Sequence, residues 1–567
     1  MLAMLMGAET EYAIAGLDHV GRGLDLSGAA QALVGEARRH RYLPSMRGSA
    51  LFLENGGCFY VDRGNHPEYA TPECRDPWQL ARYVRAGDLF LEGLAAEVMA
   101  RHPTIRQLTV HRANVHYRAP DAVWGSHESY LSRLDPREIG SHLVPHLVSR
   151  IVFAGAGGFV PGPTGLLFTL SPRAWSLGKE MSGGSTHERG IVHLRDETLS
   201  RGPYHRIHVI AGESLCSERA AVLRYGSTAL VVAAANLGAD PTAGLALADS
   251  VGALRTIAAD PTCRATVELD RTGERLTAVE IQRRILGRIE GALGGLPGWA
   301  VPLAELWRAE LDRIERAAPD LHLSLDWALK LELFRRRAEG RLSWEAVQRW
   351  AARGERTEAK GPRGSGPLMA SLPFERLVAL AQGGEQAKVA DSLVRPAAHA
   401  VLMLEALTEC GLAADDLAAL GALRAKLHEI DFRFGQLGGE GIYQQLAGAG
   451  LVAGAGLGEV DAAICTPPPD TRARFRGEAV THLGANPGAL GSSAEWTHVR
   501  RKPDGRVLDL RDPFPGEPIW EDPGVTIEPM PTGDGLQLTL PEFIRRHTRR
   551  SGQAAADRPP SLSEPGT

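Results

Sequence analysis

Polar residues break into the apolar runs of this chain on alternate positions, the signature of strands with one wet face. Residues 4–9 begin as an apolar strand that continues into Glu9-Thr10-Glu11-Tyr12. Side chains two apart on a strand point to the same side, so Glu9 and Glu11 share a face. In Cys58-Phe59-Tyr60-Val61-Asp62 the same parity pairs Tyr60 with Asp62, and the turn His66-Pro67-Glu68-Tyr69 follows. Arg206–Ile210 also reads as a strand, with Arg206 and His208 on one side and Ile207 and Val209 on the other. Elsewhere the spacing becomes helical. Asp76-Pro77 opens a helix to about Arg101, with Leu80, Val84, Leu89, Leu91, Leu94 and Val98 on its apolar side. Thr277-Ala278-Val279-Glu280 reads as a capping box before Ile281–Leu293. Ser324–Arg337 keeps a helical rhythm in which Trp327 belongs to the core.

These patterns predict strands alternating with helices over the first 240 residues and a mainly helical stretch to about 355. An exposed Gly- and Pro-rich loop is expected at 353–373, and helix again from Phe374 to about Leu427. A smaller C-terminal domain is expected at 429–549 beside a large one at 1–428, with a polar, disordered tail at 550–567.

At 567 residues the chain exceeds a single compact core. Its 44% hydrophobic and 23% charged content is that of an ordinary globular protein. A net charge of −5 gives no electrostatic case for nucleic acid. No apolar run approaches the roughly 18 residues of a membrane span. With no basic leader ahead of the first strand, a cytoplasmic location is expected. The six cysteines are scattered without a CxxC pair, which disfavours both zinc and disulfides.

The chemistry lies in the wet faces. Two such strands side by side would gather Glu9, Glu11, Asp62 and Tyr60, with Glu68 arriving from the turn. Like charges raise one another's pKa, so such a cluster calls for cations. Oxygen ligands favour Mg²⁺ or Mn²⁺ over zinc. A cation and an imidazole on one strand face, as at Arg206 and His208, suit a polyphosphate. The pattern reads as a magnesium-nucleotide site.

Glu9-Thr10-Glu11-Tyr12, Asn55-Gly56-Gly57-Cys58-Phe59-Tyr60-Val61-Asp62 and His66-Pro67-Glu68-Tyr69-Ala70-Thr71 resemble the Pup ligase and Pup deamidase/depupylase family. Further matches follow in order: Trp124–Leu131, Arg195-Asp196-Glu197, Tyr204–Glu213, Leu325–Lys330, Thr471–Gly477 and Trp496. The resemblance spans about residues 4 to 500. It implies an α+β fold like that of glutamine synthetase, in which helices pack a curved antiparallel sheet and a smaller C-terminal domain completes the nucleotide site. It also implies a proteasome accessory factor that uses ATP and Mg²⁺, with Pup or a Pup-like modifier and lysine-bearing proteins as partners. Residue by residue, Glu9, Tyr60 and Glu68 resemble magnesium ligands and Asp62 the catalytic base. Thr71 and Trp496 resemble nucleotide contacts. Glu11 and His127 match positions beside the metal, and Arg195, Arg206 and His208 positions around the nucleotide.

Two features resemble the ligase branch. Asp62 and Glu68 are six residues apart, and the stretch from Glu11 to Asn55 leaves no room for the long insertion of the hydrolase type. The chain departs at Cys58, where the family usually has Arg, and parity places Cys58 on the side of Tyr60. If that missing cation matters, Cys58→Arg should tighten ATP binding. A buried, passive thiol is favoured over a nucleophile. Leu215 stands where a polar Asn is usual, and the familiar continuation after Arg195-Asp196-Glu197 is absent. The leading expectation is an ATP-dependent ligase working through an acyl phosphate. The alternatives are a deamidase or depupylase, a small-carboxylate ligase, or a weakened nucleotide- or modifier-binding regulator.

Overall fold

Nine strands of one sheet carry Glu9, Glu11, Tyr60, Glu68, His127, Arg206 and His208. The computed structural model describes residues 4–358 and 403–522, apart from positions 47, 63, 118, 120, 121, 163, 185–188, 341, 404 and 515. Of the loop expected at 353–373, residues 353–358 instead continue helix Trp344–Glu358. Its remainder, the expected helix from 374 to 402, residues 523–549 of the expected C-terminal domain and the tail at 550–567 lie outside the described residues. The strands are β1 (Met6–Glu11), β2 (Leu43–Pro44), β3 (Leu51–Phe52), β4 (Cys58–Val61), β5 (Pro67–Ala70), β6 (Ser126–Ser132), β7 (Lys179–Ser182), β8 (Gly190–His193) and β9 (His205–Val209). Their order is β7-β8-β9-β6-β1-β5-β4-β3-β2. Every pairing is antiparallel except β7 with β8. This is the antiparallel-rich α+β architecture expected from the sequence.

Alternation sets the two faces. On β6, Ser126, Glu128, Tyr130 and Ser132 are buried, while His127, Ser129 and Leu131 turn the other way. The buried side, with Met6, Ala8, Ile207 and Val209, packs on helices Pro77–Arg101, Pro136–Ser149 and Glu218–Asn236 in the main hydrophobic core. Glu128 is fully buried there. Its carboxylate takes Arg150 at 2.6 Å and Arg224 at 2.9 Å, and accepts from the Tyr130 hydroxyl at 2.6 Å.

The helix starts follow local chemistry. Asp76 caps Gln79 N ahead of Pro77, and Thr277 with Glu280 forms the reciprocal box ahead of Ala278–Glu290. Trp327 on helix Asp326–Ala338 is 4% exposed and donates to Val152 O, a core role. Helix Leu417–Phe434 runs through residue 428, and Leu437 packs on the cluster around Tyr12 and Phe90. Farther on, helix Arg472–Gly484 and a four-stranded antiparallel sheet of Ser493–Ala494, His498–Arg500, Val507–Asp509 and Trp520–Glu521 form the smaller C-terminal region. Its Ala479, Val480, Leu483, Val499 and Leu508 pack on Leu43, Phe52 and Cys58, at the β2–β4 end of the large sheet. Among the described residues, no helix is long and apolar enough to cross a membrane.

Candidate active site

Strand register brings the polar residues into rows across the open face. Tyr60 on β4 lies opposite Glu68 on β5, which lies opposite Glu11 on β1. The next row runs Cys58, Ala70, Glu9, His127. A third runs Gly7, Ser129, His208, His193. Arg206, two residues before His208, sends one nitrogen to Glu9 at 2.6 Å and another to Ser129 Oγ at 3.0 Å. His127 and His208 each put a ring nitrogen 3.6 Å from Glu9. Gly125 N–H donates to Glu11 at 2.6 Å.

Asp62 falls just past the end of β4, in a turn closed by Asp62 N–H on His66 O at 3.0 Å. The His66 N–H donates to Asp62 Oδ1 at 2.6 Å, and His66 Nδ1 stands 3.3 Å from Asp62 Oδ2 and 3.8 Å from Glu11. Two groups thus converge to within 4.8 Å: Glu9, His127 and His208, and beside them Glu11, Asp62 and His66.

The protonation of these groups bears on what they hold. Burial and the charges of Glu11, Glu9 and Asp62 push the Glu68 carboxyl well above its ordinary range. Burial, Glu68 and Glu9 do the same to the Tyr60 phenol, which hydrogen-bonds Glu68. Burial also raises Glu9, but Arg206, His127 and His208 outweigh it and hold that carboxylate well below the usual range. Burial and Arg206 drive the His208 imidazole down, and its Nε2 is buried without a hydrogen-bond partner. Carboxylates, a phenol and an unused imidazole nitrogen fit a divalent cation, whose charge would offset the burial and the repulsion that raise the Glu68 carboxyl.

A cleft opens beside this cluster, lined by Glu9, Arg206, Thr71, Arg472, Glu197 and Trp496 among others. Thr71 Oγ1 accepts from Ala8 N–H at 3.0 Å. Arg195 stands 3.7 Å from Glu197, a residue of the lining that is 3.7 Å from Arg206 in turn. Arg472 and Arg476, one turn apart on helix Arg472–Gly484, both grip Glu73. Glu73 is raised by burial, yet the two guanidiniums bring it to about 2.

Cys58 shares the side of Tyr60, as parity predicts, but the C-terminal helix roofs it and leaves it 2% exposed. Burial pushes its thiol up, away from nucleophilic use. This revises the expected effect of Cys58→Arg. A second guanidinium would be buried among Phe52, Ala479 and Val480 beside Arg476, so the substitution should lower the melting temperature without tightening nucleotide binding. A thermal melt with and without ATP checks this.

The structure therefore gathers Glu9, Glu11, Tyr60, Asp62, Glu68, His127, Arg206 and His208, lines the cleft beside them with Thr71 and Trp496, and sets Arg195 next to Glu197. The sequence reading gave no role to His66, Ser129, Glu73, Glu197, Arg472 or Arg476. The fourfold spacing of Arg472 and Arg476 was the available signal, since it places both on one helix face.

A family model described as Pup-ligase protein matches residues 4–352 and 400–500. A Pup–protein ligase of Sanguibacter keddieii is 33% identical over 344 residues, covering 59% of this chain and 74% of the relative. A Pup deamidase/depupylase of Mycobacterium tuberculosis is 38% identical over 309 residues, covering 52% and 60%. The complex of the prokaryotic ubiquitin-like protein Pup with its ligase PafA superposes with a TM-score of 0.64 at 22% identity, covering 98% of this chain and 94% of that one. The Pup ligase PafA with ADP gives 0.58 at 23% identity, covering 82% and 87%. At these identities the two superpositions show the fold alone.

Proposed function

The chain belongs to the Pup-ligase family, and on that premise we propose that it is an ATP-dependent ligase joining the C-terminal glutamate of Pup, or a Pup-like modifier, to lysines of target proteins. One observation carries the reading: Glu9, Tyr60 and Glu68 stand on neighbouring rows of one sheet face, with Asp62 in the turn after β4 and a cleft lined by Glu9, Arg206, Arg472 and Trp496 beside them. A Pup ligase solved with ADP has this fold, which supports a nucleotide in the cleft.

Glu9, Tyr60 and Glu68 would hold Mg²⁺, with Glu11 and His127 beside it. The ion supplies positive charge against the triphosphate when bound. Arg206, tied to Glu9 and Ser129, presents a fixed cation to the phosphates. The modifier's carboxylate attacks the γ-phosphate and becomes an acyl phosphate, with ADP leaving. A lysine amine then displaces phosphate. That amine is only about 10⁻³ neutral at pH 7, and Asp62 accepts its proton as it docks. His66 N–H and the closed turn fix the Asp62 carboxylate for this role.

The spacing of six residues between Asp62 and Glu68 and the short connection from Glu11 to Asn55 favour ligation over hydrolysis. The deamidase/depupylase relatives keep the hydrolase reading as the second one. Nucleotide consumption separates the two. A ligase releases one ADP per conjugate, whereas conjugate cleavage with ATP intact would assign the hydrolase.

Glu9→Ala tests the metal ligands. Losing even an outer partner of a metal ligand typically costs 10–100-fold, so losing Glu9 should weaken magnesium-dependent ATP binding by about 100-fold or more. Calorimetry with and without a chelator reads this, and unchanged affinity would remove Glu9 from the metal site.

A further inference from the structure

The cleft has a built wall at its C-terminal end. Arg476 is completely buried and uses every donor group: Nε to Gly56 O at 2.8 Å, one terminal nitrogen to Trp496 O at 3.0 Å, and the other to Glu73 at 2.5 Å. Its guanidinium carbon lies over the Trp496 ring, 4.7 Å from the centroid, while Phe52 meets that ring edge-on at 5.2 Å. Arg472 holds the other Glu73 oxygen at 2.7 Å and donates to Leu510 O at 3.0 Å. The helix comes this close because Gly56 and Gly477 carry no side chain. A Cβ on Gly56, which has φ 79°, would meet Ala473 O at 2.5 Å, and one on Gly477 would meet Glu54 O at 2.3 Å.

Trp496 thus has a cation over its ring, its backbone carbonyl bound by the same cation, Phe52 packed against it, and a place in the lining of the cleft. We propose that Arg476, locked by Glu73, is a positioning residue that presents Trp496 as a stacking platform for the nucleobase. This rests on the nucleotide reading of the cleft. A guanidinium on one face of an indole fixes the ring plane and draws on its electron density, and a flat aromatic held rigidly is what stacks a base. Lysine cannot replace Arg476, because it has neither the planar stack nor the fork that reaches Gly56, Trp496 and Glu73 together.

The test compares two ligands of the whole 567-residue chain, both with Mg²⁺. ADP carries the base, and inorganic tripolyphosphate lacks it. Calorimetry on wild type, Arg476→Met, Arg476→Lys, Trp496→Ala and the Arg476→Met/Trp496→Ala double variant gives the answer. Arg476→Met and Trp496→Ala are each expected to weaken ADP by about tenfold or more, with tripolyphosphate affinity unchanged. The double variant should be no worse than Trp496→Ala alone. Equal weakening of both ligands by Arg476→Met, or additive losses in the double variant, would overturn the proposal. If Arg476→Met fails to fold, Arg476→Lys decides, and full ADP affinity with lysine would refute it. Wild type that binds tripolyphosphate but gains nothing from the base would sink this inference and leave the phosphate site standing. Wild type that binds neither would contradict the ligase reading itself.

Discussion

Asp62→Asn should cut isopeptide formation by a factor of about 10²–10⁴, the usual worth of a positioned general base, while leaving ATP affinity intact. The reason is geometric. Asp62 is set past the end of β4, its Oδ1 occupied by the His66 N–H and its Oδ2 3.3 Å from the His66 ring. Asparagine keeps the size and the hydrogen-bond acceptor but has no basic oxygen. Formation of the acyl phosphate does not need that base, so ADP release without conjugate should persist in the variant. Single-turnover conjugation and ADP release, measured on the same sample, check this. Undiminished conjugation would remove Asp62 from the mechanism.

The second large effect lies on the opposite face of the sheet. Glu128→Gln should destabilise the fold by about 3–5 kcal/mol, the range for removing one partner of a buried ion pair. Arg150 and Arg224 would then face each other, both nearly inaccessible, without their shared carboxylate. The pH dependence follows from the same pair. Burial raises the Glu128 carboxyl, but Arg150 and Arg224 bring it down to about 2. A carboxyl depressed on folding contributes stability above its unfolded value, near 4.3, and that contribution is lost as pH falls toward about 2. Wild type should therefore lose stability steeply across that window, and Glu128→Gln should lose less. Denaturant midpoints from pH 7 to 3 read both effects. Equal midpoints at pH 7 would contradict the account of this pair.

The parity of the strands was legible before any fold was known. Glu9 with Glu11, and Arg206 with His208, share a face because the side-chain period of a strand is two. Helix Pro77–Arg101 was legible from its aspartate cap and proline start. What parity could not supply was distance along the chain. Cys58 has the orientation expected, yet a helix some 420 residues later covers it, as the Arg476 bond to Gly56 shows. The same helix makes Glu73, through Arg476, an anchor for Trp496. Asp62 was read as a strand residue. It belongs instead to the turn that follows, where His66 joins it, and turn geometry sets its direction.

Intact-mass spectrometry tests the central claim most directly. The whole 567-residue chain is incubated with Mg-ATP, a Pup ending in glutamate and a lysine-bearing target. The account predicts an ATP-dependent adduct lighter than the sum of modifier and target by one water. No adduct, together with deamidation of a glutamine-ended Pup in a parallel sample, would contradict it and assign the hydrolase.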